Sequence, residues 1–198
     1  MRPFERLPAP DFLARNWERW GAEYATRKAE DPAARFSWSK PGHREMNHQI
    51  MPDLKTQTDK HCSYCDFYPS RRGDDTIDHF KPKGDERFYR LAYQWENLYA
   101  CCWHCQKAKA EQFDEALLRP DDSGYSFGRY FVFNAATGEI QPKPDAPEAD
   151  KHRADLTIRL LDINHEGQRV ARKRMWELHE AQGDRASLDD YAFRFLFE

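Results

Sequence analysis

The sequence lacks any long run of apolar residues: hydrophobic residues make up 39% of the 198 positions, and charged residues make up 33%. No segment approaches the roughly 20 consecutive apolar residues that a membrane-spanning helix requires. The segment Met1–Pro10 also lacks the apolar stretch of a secretory signal peptide. We therefore expect a cytoplasmic protein that has no membrane partner.

The sequence also lacks net positive charge, since its formal charge at pH 7 is -3. This value argues against a protein that attracts nucleic acid with its whole surface, because phosphate binding depends on where Lys and Arg cluster. One basic cluster lies between Lys151 and Met175. It is equally consistent with a solvated helix face and with a phosphate-binding surface.

Cysteine is scarce, with five residues in the chain, and all five lie between Cys62 and Cys105. In a reducing compartment, such clustering argues against disulfide bonds and favours a metal site. Two C-x-x-C pairs can each present two thiolates to one ion, and together they complete a tetrahedral Zn²⁺ site. The predicted zinc ligands are Cys62, Cys65, Cys102 and Cys105.

A zinc site of four thiolates has no open coordination position, so this ion is predicted to stabilise the fold rather than to catalyse. Cys101 lies beside Cys102 and could replace it as a ligand. The spacing to Cys105 favours Cys102. We interpret Cys101 as a small buried residue.

Helices are predicted on both sides of the cysteine region. The first begins at the N-cap Asp11 and ends before Asp31-Pro32, because apolar residues recur there at helical spacing. Those residues are Leu13, Trp17, Trp20 and Tyr24. A weaker helix is predicted over Arg44–Thr58. Two more are predicted near the end of the chain, over Glu148–Asp162 and Glu166–Gln182.

A small β-hairpin is predicted from Tyr130–Phe133 and Glu139–Gln141, which flank a turn that ends at Gly138. The sequence therefore predicts an α+β fold in three regions. These are an N-terminal helical region (1–59), a zinc-stapled core (60–115), and a C-terminal hairpin and helical extension (116–198). The aromatic segment Tyr191–Phe197 and the Trp17/Trp20/Tyr24 stripe are open to two interpretations, core packing or docking of a partner protein.

The segment between the cysteine pairs contains Asp78-His79-x-x-Pro82 and then Asn97-Leu98. Taken alone, an Asp-His pair on a short strand indicates no more than a solvated carboxylate and a hydrogen-bonded imidazole. The order of motifs from Cys62 to Lys109, however, resembles the zinc-containing HNH, or ββα-metal, endonucleases. The resemblance implies a small core in which a hairpin and a helix hold one catalytic divalent ion, while zinc ties the base of the hairpin to the helix.

The resemblance also implies a role for individual residues. His79 would be the general base that activates water, Asp78 would be a ligand of a catalytic Mg²⁺ or Mn²⁺, and Asn97 would orient the catalytic loop. Imidazole suits the first role because its pKa lies near neutrality. Carboxylate oxygen suits the second because both ions are hard cations. Contacts with nucleic acid would come from Lys81, Lys83 and Lys109.

Gln106 departs from the family pattern, which has Asn or His at this position as the second metal ligand. An amide oxygen can still coordinate a hard cation, but the extra methylene of Gln moves that oxygen outward. Direct coordination, coordination through water, and replacement of Gln106 by His104 are all open.

Motifs outside the core resemble one HNH subgroup, the PtuB-like proteins of bacterial anti-phage systems such as Septu and some retrons. They include His61-Cys-Ser-Tyr-Cys65, Ile77-Asp-His-Phe-Lys-Pro-Lys83, Tyr93-Gln-Trp-Glu-Asn-Leu98, the hairpin with Gly138, and Thr157–Asn164. The resemblance implies a nuclease effector that acts beside an ATPase subunit of the ABC/SMC type.

The predicted function is therefore metal-dependent hydrolysis of phosphodiester bonds, with DNA rather than RNA favoured by the family alone. One alternative is a catalytically degenerate HNH zinc module that binds nucleic acid or a partner protein, and Gln106 is its best support. A second alternative is a zinc-dependent thiol or redox protein, which would release its metal on mild oxidation.

Overall fold

The computed structural model describes residues 1–68, 75–182 and 187–198. These residues form helices and two separate two-stranded antiparallel sheets, so the protein has the predicted α+β composition. Residues 69–74, which belong to the predicted 60–115 core, lie outside the described residues. Among the described residues, no helix is both long enough and apolar enough to cross a membrane.

The N-terminal region contains α1 (Asp11–Ala14), α2 (Trp17–Glu30) and α3 (Met46–Thr56). The prediction of one continuous first helix was wrong, because the chain breaks between α1 and α2. The side chain of Asn16 donates a hydrogen bond to the backbone oxygen of Phe12 at 2.7 Å. Side chains of Asn compete in this way with regular helical bonding and favour helix ends.

Helix α2 packs closely against a 3₁₀ helix at Glu86–Leu91. Trp20 and Tyr24 of the predicted stripe are buried in this contact region. A Cβ atom on Gly21 would lie 2.1 Å from the backbone oxygen of Arg90, so only glycine permits this approach. The contact brings the N-terminal region against the segment that follows Asp78-His79.

A hairpin of two strands, β1 (Asp75–His79) and β2 (Leu98–Cys102), lies at the centre of the molecule. Its register pairs Asp78 with Tyr99 and His79 with Leu98. Helix α4 (Trp103–Lys109) begins directly after β2. Residues 80–97, with two 3₁₀ helices, lie between the strands, whereas β2 continues directly into α4.

Alternate residues of the hairpin face different parts of the hydrophobic core, as strand geometry requires. Leu98 and Ala100 belong to one buried cluster with α2 and α3. Tyr99 and Cys101 belong to a second cluster with the C-terminal elements. Every residue of β2 is buried, because both faces of the strand are covered.

The C-terminal region contains α5 (Phe127–Tyr130), β3 (Phe131–Asn134), β4 (Glu139–Pro142), α6 (Glu148–Leu160) and α7 (Glu166–Gln182). The predicted hairpin and the two helices after it are confirmed, with small shifts in their bounds. Gly138 closes the hairpin turn with a φ of 75°. A Cβ at this position would also meet the backbone oxygen of Arg169 at 2.1 Å, so the turn fits against α7 only with glycine.

The aromatic C-terminal segment packs on the protein itself. Phe193 and Phe195 are buried in the second cluster, and the buried guanidinium of Arg194 forms an ion pair with Asp66 at 2.8 Å. The backbone nitrogen of Phe193 also donates to the oxygen of Asp66. Core packing therefore accounts for this segment, which lies beside the first cysteine pair.

Candidate functional site

Four buried cysteine sulfur atoms meet where the hairpin joins α4, all within 4.8 Å of one another. All four are free thiols. The Sγ atoms of Cys65 and Cys102 are 3.8 Å apart. Thiolates arranged tetrahedrally around zinc at bond lengths of about 2.3 Å have the same separation, about 3.8 Å. The predicted ligands, Cys62, Cys65, Cys102 and Cys105, could therefore hold a metal ion such as zinc.

The first cysteine pair is anchored to strand β2 by its backbone and by Ser63. Both the nitrogen and the hydroxyl of Ser63 donate to the oxygen of Ala100, at 2.9 Å and 2.7 Å. Cys101 lies outside the four-sulfur cluster, with its Sγ 3.3 Å from the hydroxyl of Thr76 on β1. The interpretation of Cys101 as a small buried residue is confirmed.

Arg172 of α7 adds a positive charge near the sulfur cluster. Its fully buried guanidinium donates to neutral acceptors, which are the carbonyl oxygens of Gly138 and Ile163 and the side chain of Asn164. Among the described residues, no carboxylate lies within 4 Å of it. Burial lowers the pKa of Arg172 to about 10, while negative charge on Cys65 and Cys105 opposes this shift. A zinc ion bound by four thiolates carries a net double negative charge, which Arg172 would partly neutralise.

Asp78 is a buried carboxylate with two protein partners. Tyr64 donates its hydroxyl to Oδ2 of Asp78 at 2.7 Å, and Nζ of Lys109 lies 3.1 Å from the same oxygen. Burial raises the pKa of Asp78, and the nearby ammonium of Lys109 and the Tyr64 hydroxyl act against that increase. The ion pair thus stabilises the ionised carboxylate that a hard cation would require.

His79 is buried under aromatic rings, and its Nε2 atom lies 2.9 Å from the backbone oxygen of Ala92. A carbonyl oxygen only accepts hydrogen bonds, so this contact requires the proton on Nε2 and leaves Nδ1 as an acceptor. Trp38 stacks on the imidazole at 5.4 Å between ring centres. Burial first, and then the positive charge of Lys83, lower the pKa of His79 to about 3, so the ring is neutral at pH 7.

A cavity of about 370 Å³ gives access to this pair of residues. Asp78, His79 and Gln106 all line it. The side-chain nitrogen of Gln106 donates to the backbone oxygen of Ile77 at 2.9 Å. This bond fixes the orientation of the amide and occupies its nitrogen with strand β1, so Oε1 is the atom that remains available to a ligand.

His104 lines a different cavity, of about 350 Å³, together with Phe67 and His165. Its ring centre is 3.7 Å from that of His165, and its Nε2 is 3.3 Å from a carboxylate oxygen of Asp162. The structure therefore brings Gln106, and not His104, to the Asp78 cavity. The interpretation in which His104 replaces Gln106 is inconsistent with this placement.

Asn97 holds the segment that follows His79. Its side-chain oxygen accepts from the backbone nitrogen of Lys81 at 2.7 Å, and its side-chain nitrogen donates to the oxygens of Lys81 and Leu91, both at 3.0 Å. The backbone oxygen of Asn97 also accepts from the nitrogen of Phe80. These bonds fix the backbone that carries His79.

The three lysines that the sequence assigned to nucleic-acid contact lie in different surroundings. Lys109 is fully buried and donates to the backbone oxygen of His79 at 2.7 Å, so in this arrangement it cannot reach a phosphate in solvent. Its place one turn after Cys105 gave no sign of this burial. Lys83 lines the cavity and pairs with Glu111 at 3.4 Å. Lys81 is half-buried against the rings of Phe88 and Phe113.

Sequence reasoning missed several residues of the site. Tyr64 contacts Asp78 and Trp38 contacts His79 through the tertiary fold, and no motif indicated these roles. The charge of Arg172 interacts with Cys65 and Cys105, which no motif indicated either. Trp103 was visible inside the second cysteine pair, and its position at the start of α4 on the cavity could have been inferred from the helix that the HNH resemblance implies after the hairpin.

No protein-family model matches the sequence, and no curated protein matches it. The fold and the site define an α+β protein with a cluster of four cysteines that could bind zinc, beside a cavity that contains a buried carboxylate and a neutral histidine.

Proposed function

We propose that the protein is a metal-dependent endonuclease of the HNH, or ββα-metal, class that hydrolyses phosphodiester bonds of DNA. The observation that carries the proposal is the presence of Asp78 and His79 at one cavity, on a hairpin that continues directly into α4. The four-cysteine cluster at the junction of hairpin and helix supports it, because zinc there would fix the helix to the strands.

The donor atoms at the cavity fit a hard divalent cation. Asp78 offers a carboxylate oxygen and Gln106 offers an amide oxygen, and both types of oxygen bind Mg²⁺ or Mn²⁺. When bound, such an ion would neutralise charge on the phosphate and stabilise the leaving oxygen. Glu111 also lines the cavity, but its carboxylate pairs with Lys83 at 3.4 Å and accepts a hydrogen bond from the backbone nitrogen of Gly84. Ligation by Asp78 and Gln106 leaves further coordination positions for water and substrate.

His79 is suited to the role of general base. Its Nε2–H is held by the oxygen of Ala92, so Nδ1 can accept a proton from the attacking water. The low pKa keeps the ring in its neutral, proton-accepting form at physiological pH, although it also makes His79 a weak base. Asn97 acts as a positioning residue, since it fixes the backbone next to His79 through Lys81.

The DNA substrate, the role in anti-phage defence and the ATPase partner rest on the resemblance of the outer motifs to PtuB-like proteins. The basic residues at the cavity, Lys83 and Lys107, are compatible with either nucleic acid. With a net charge of -3, the chain alone would bind DNA weakly at physiological salt, and a partner would add positive surface.

A catalytically degenerate zinc module is the second candidate, and two observations favour it. Lys109 already pairs with the Asp78 carboxylate, and His79 is only 4% exposed. An ion at Asp78 would have to share that carboxylate with a buried ammonium. The two candidates differ in whether phosphodiester cleavage depends on His79.

The test is incubation of the purified chain with supercoiled plasmid and Mg²⁺ or Mn²⁺, with and without the ATPase of the same system. His79→Ala is the test variant, and His152→Ala, at an exposed position on α6, is the matched control. EDTA is added to a parallel set, and single-stranded DNA and RNA are tested beside the plasmid. We expect nicking or linearisation by the wild type and the control, and none by His79→Ala.

Cleavage that persists in His79→Ala would contradict the assigned base. If the folded, zinc-loaded wild type cleaves no substrate with or without the ATPase, the degenerate module becomes the better account.

A further inference from the structure

One face of α4 is turned to the cavity and not to the core. Trp103, Gln106, Lys107 and Ala110, the residue after the helix, follow a spacing of three and four residues, and all four line the cavity with Asp78 and His79. The other side of the same helix carries the buried Cys105 and Lys109. One side of helix α4 therefore faces the cysteine cluster and the hairpin, and the other side faces the cavity, where it can contact a ligand.

Trp103 exposes a large apolar ring to water, which is energetically unfavourable. Its exposed fraction is 54%, the highest among the large hydrophobic residues that the described part of the chain leaves exposed. Single exposed hydrophobic residues need no explanation by themselves. The position of Trp103 is informative because the residue lines the cavity that contains Asp78 and His79, at its boundary with the cavity of His104 and His165.

A cation accompanies the exposed ring. Nζ of Lys107 lies 4.7 Å from the ring centre of Trp103. Across residues 1–68, 75–182 and 187–198, no carboxylate lies within 4 Å of that ammonium. The nearby Lys83 is partly neutralised by Glu111. Lys107 is thus the exposed cation of the cavity that lacks an acidic partner, and it lies beside a large aromatic face.

An exposed aromatic face with an adjacent cation matches the chemistry of a nucleotide, which joins a flat base to a phosphate. Stacking of a base on an aromatic side chain tolerates any base, because every base has a π face. A base inside a duplex has both faces covered by its neighbours. Only a single-stranded or locally unpaired base can offer a free face to a side chain.

We propose that Trp103 is a stacking platform for an unpaired base of the substrate, next to the phosphate that is held at Asp78 and His79, and that Lys107 contacts the strand's phosphate. This inference rests on the proposed nuclease function and names its substrate class. The preferred substrate is a nucleic-acid strand that is single-stranded or locally unpaired at the cleavage point.

The test measures binding in a background that cannot cleave. His79→Ala protein is titrated with a fluorescein-labelled DNA strand that has no self-complementarity, and with the same strand annealed to its complement, in Mg²⁺ at one fixed salt concentration. The variants add Trp103→Ala or Trp103→Phe. Tyr68→Ala is the matched control, because Tyr68 is also an exposed aromatic residue but lines a different cavity.

We expect Trp103→Ala to weaken binding of the single strand by about tenfold or more, the range that loss of one stacked base produces. Binding of the duplex should change by less than about twofold, because a paired base does not use the platform. Trp103→Phe should retain most of the affinity, and Tyr68→Ala all of it. Thermal unfolding of each variant shows whether the fold is intact.

Two outcomes separate this inference from the proposed function. If the wild type cleaves DNA with His79 dependence, but Trp103→Ala binds single strands as tightly as its parent or weakens single strand and duplex equally, the stacking platform is wrong and the nuclease stands. If no variant binds either form and the wild type cleaves nothing, the nuclease proposal fails and the platform fails with it.

Discussion

The cysteine cluster and the Asp78–His79 cavity share helix α4, but they differ in how completely their parts are assembled. The cluster has four equivalent sulfur donors close enough to hold one ion. The cavity has one carboxylate that already pairs with Lys109, and a histidine beneath the ring of Trp38. A cluster whose four sulfur donors fill every coordination position of an ion would stabilise the fold. A site that binds and releases a substrate must instead keep some of its polar groups free for that substrate.

The largest expected effect is at the four-cysteine cluster. Cys105→Ser should remove zinc binding and with it the cooperative unfolding transition, because a structural zinc ion contributes about 10–16 kcal/mol of binding free energy to folding. The metal content per chain and a thermal unfolding curve measure both parts of the prediction.

Cys101→Ser is the matched control for that experiment. It replaces a buried cysteine of the neighbouring strand β2 that lies outside the cluster, so its zinc content should equal that of the wild type. A Cys105→Ser protein that remains fully folded without metal would show that the cluster is not a structural zinc site. Loss of zinc in Cys101→Ser alone would move the fourth ligand to that position.

The second largest effect tests the buried ion pair between Asp78 and Lys109 beside the cavity. Lys109→Met should lower the free energy of unfolding by about 3–5 kcal/mol, because it leaves the Asp78 carboxylate buried without its cation. It also removes the hydrogen bond to the oxygen of His79. Chemical denaturation of the zinc-loaded protein measures the change.

The double variant Asp78→Asn/Lys109→Met distinguishes an ion pair from a packing effect. It should be more stable than Lys109→Met, because no buried charge is left without a partner. If the double variant is no more stable than the single one, the Asp78–Lys109 pair does not control this region. Full stability of Lys109→Met would favour a surface position for Lys109, as its predicted phosphate contact requires.

A smaller effect should connect Arg172 to the metal. Arg172→Met removes a buried cation whose charge interacts with Cys65 and Cys105, and we expect zinc to be lost to a chelator about tenfold faster, which corresponds to about 1.4 kcal/mol. Arg174→Met, at an exposed position on the same helix, should leave that rate unchanged. A rate that Arg172→Met does not change would mean that the guanidinium only stabilises the turns at Gly138 and Ile163.

The parts of the fold that sequence patterns predicted are those whose signals are local. Helices α6 and α7, the β3–β4 hairpin with Gly138, and the cluster of four cysteines follow from periodicity, turn residues and cysteine spacing. The break between α1 and α2 was missed, because apolar spacing continues across it while Asn16 hydrogen-bonds to Phe12. Periodicity reports which residues face the core, and it does not report whether the backbone between them is continuous.

The candidate site was less predictable for the same physical reason. Asp78, His79 and Asn97 stand in a recognisable order, but Tyr64 and Trp38 contact them only after long-range folding. The burial of Lys109 depends on how α4 packs against β1, which spacing from Cys105 does not encode. A motif can thus suggest chemical roles, whereas the protonation and charge of the residues depend on the surrounding fold.

The smallest expected effect concerns Gln106, which stands where the HNH endonucleases that the sequence resembles have Asn or His. If its amide oxygen is the second metal ligand, Gln106→Asn should keep cleavage within about threefold, an effect of less than about 1 kcal/mol. Gln106→Ala should raise the Mg²⁺ concentration for half-maximal cleavage instead. Plasmid cleavage over a Mg²⁺ titration measures both. Because the nitrogen of Gln106 also binds the oxygen of Ile77, the shorter Asn loses that contact. A large loss of activity in Gln106→Asn with an unchanged Mg²⁺ requirement would therefore show that residue 106 positions strand β1 and does not coordinate the ion.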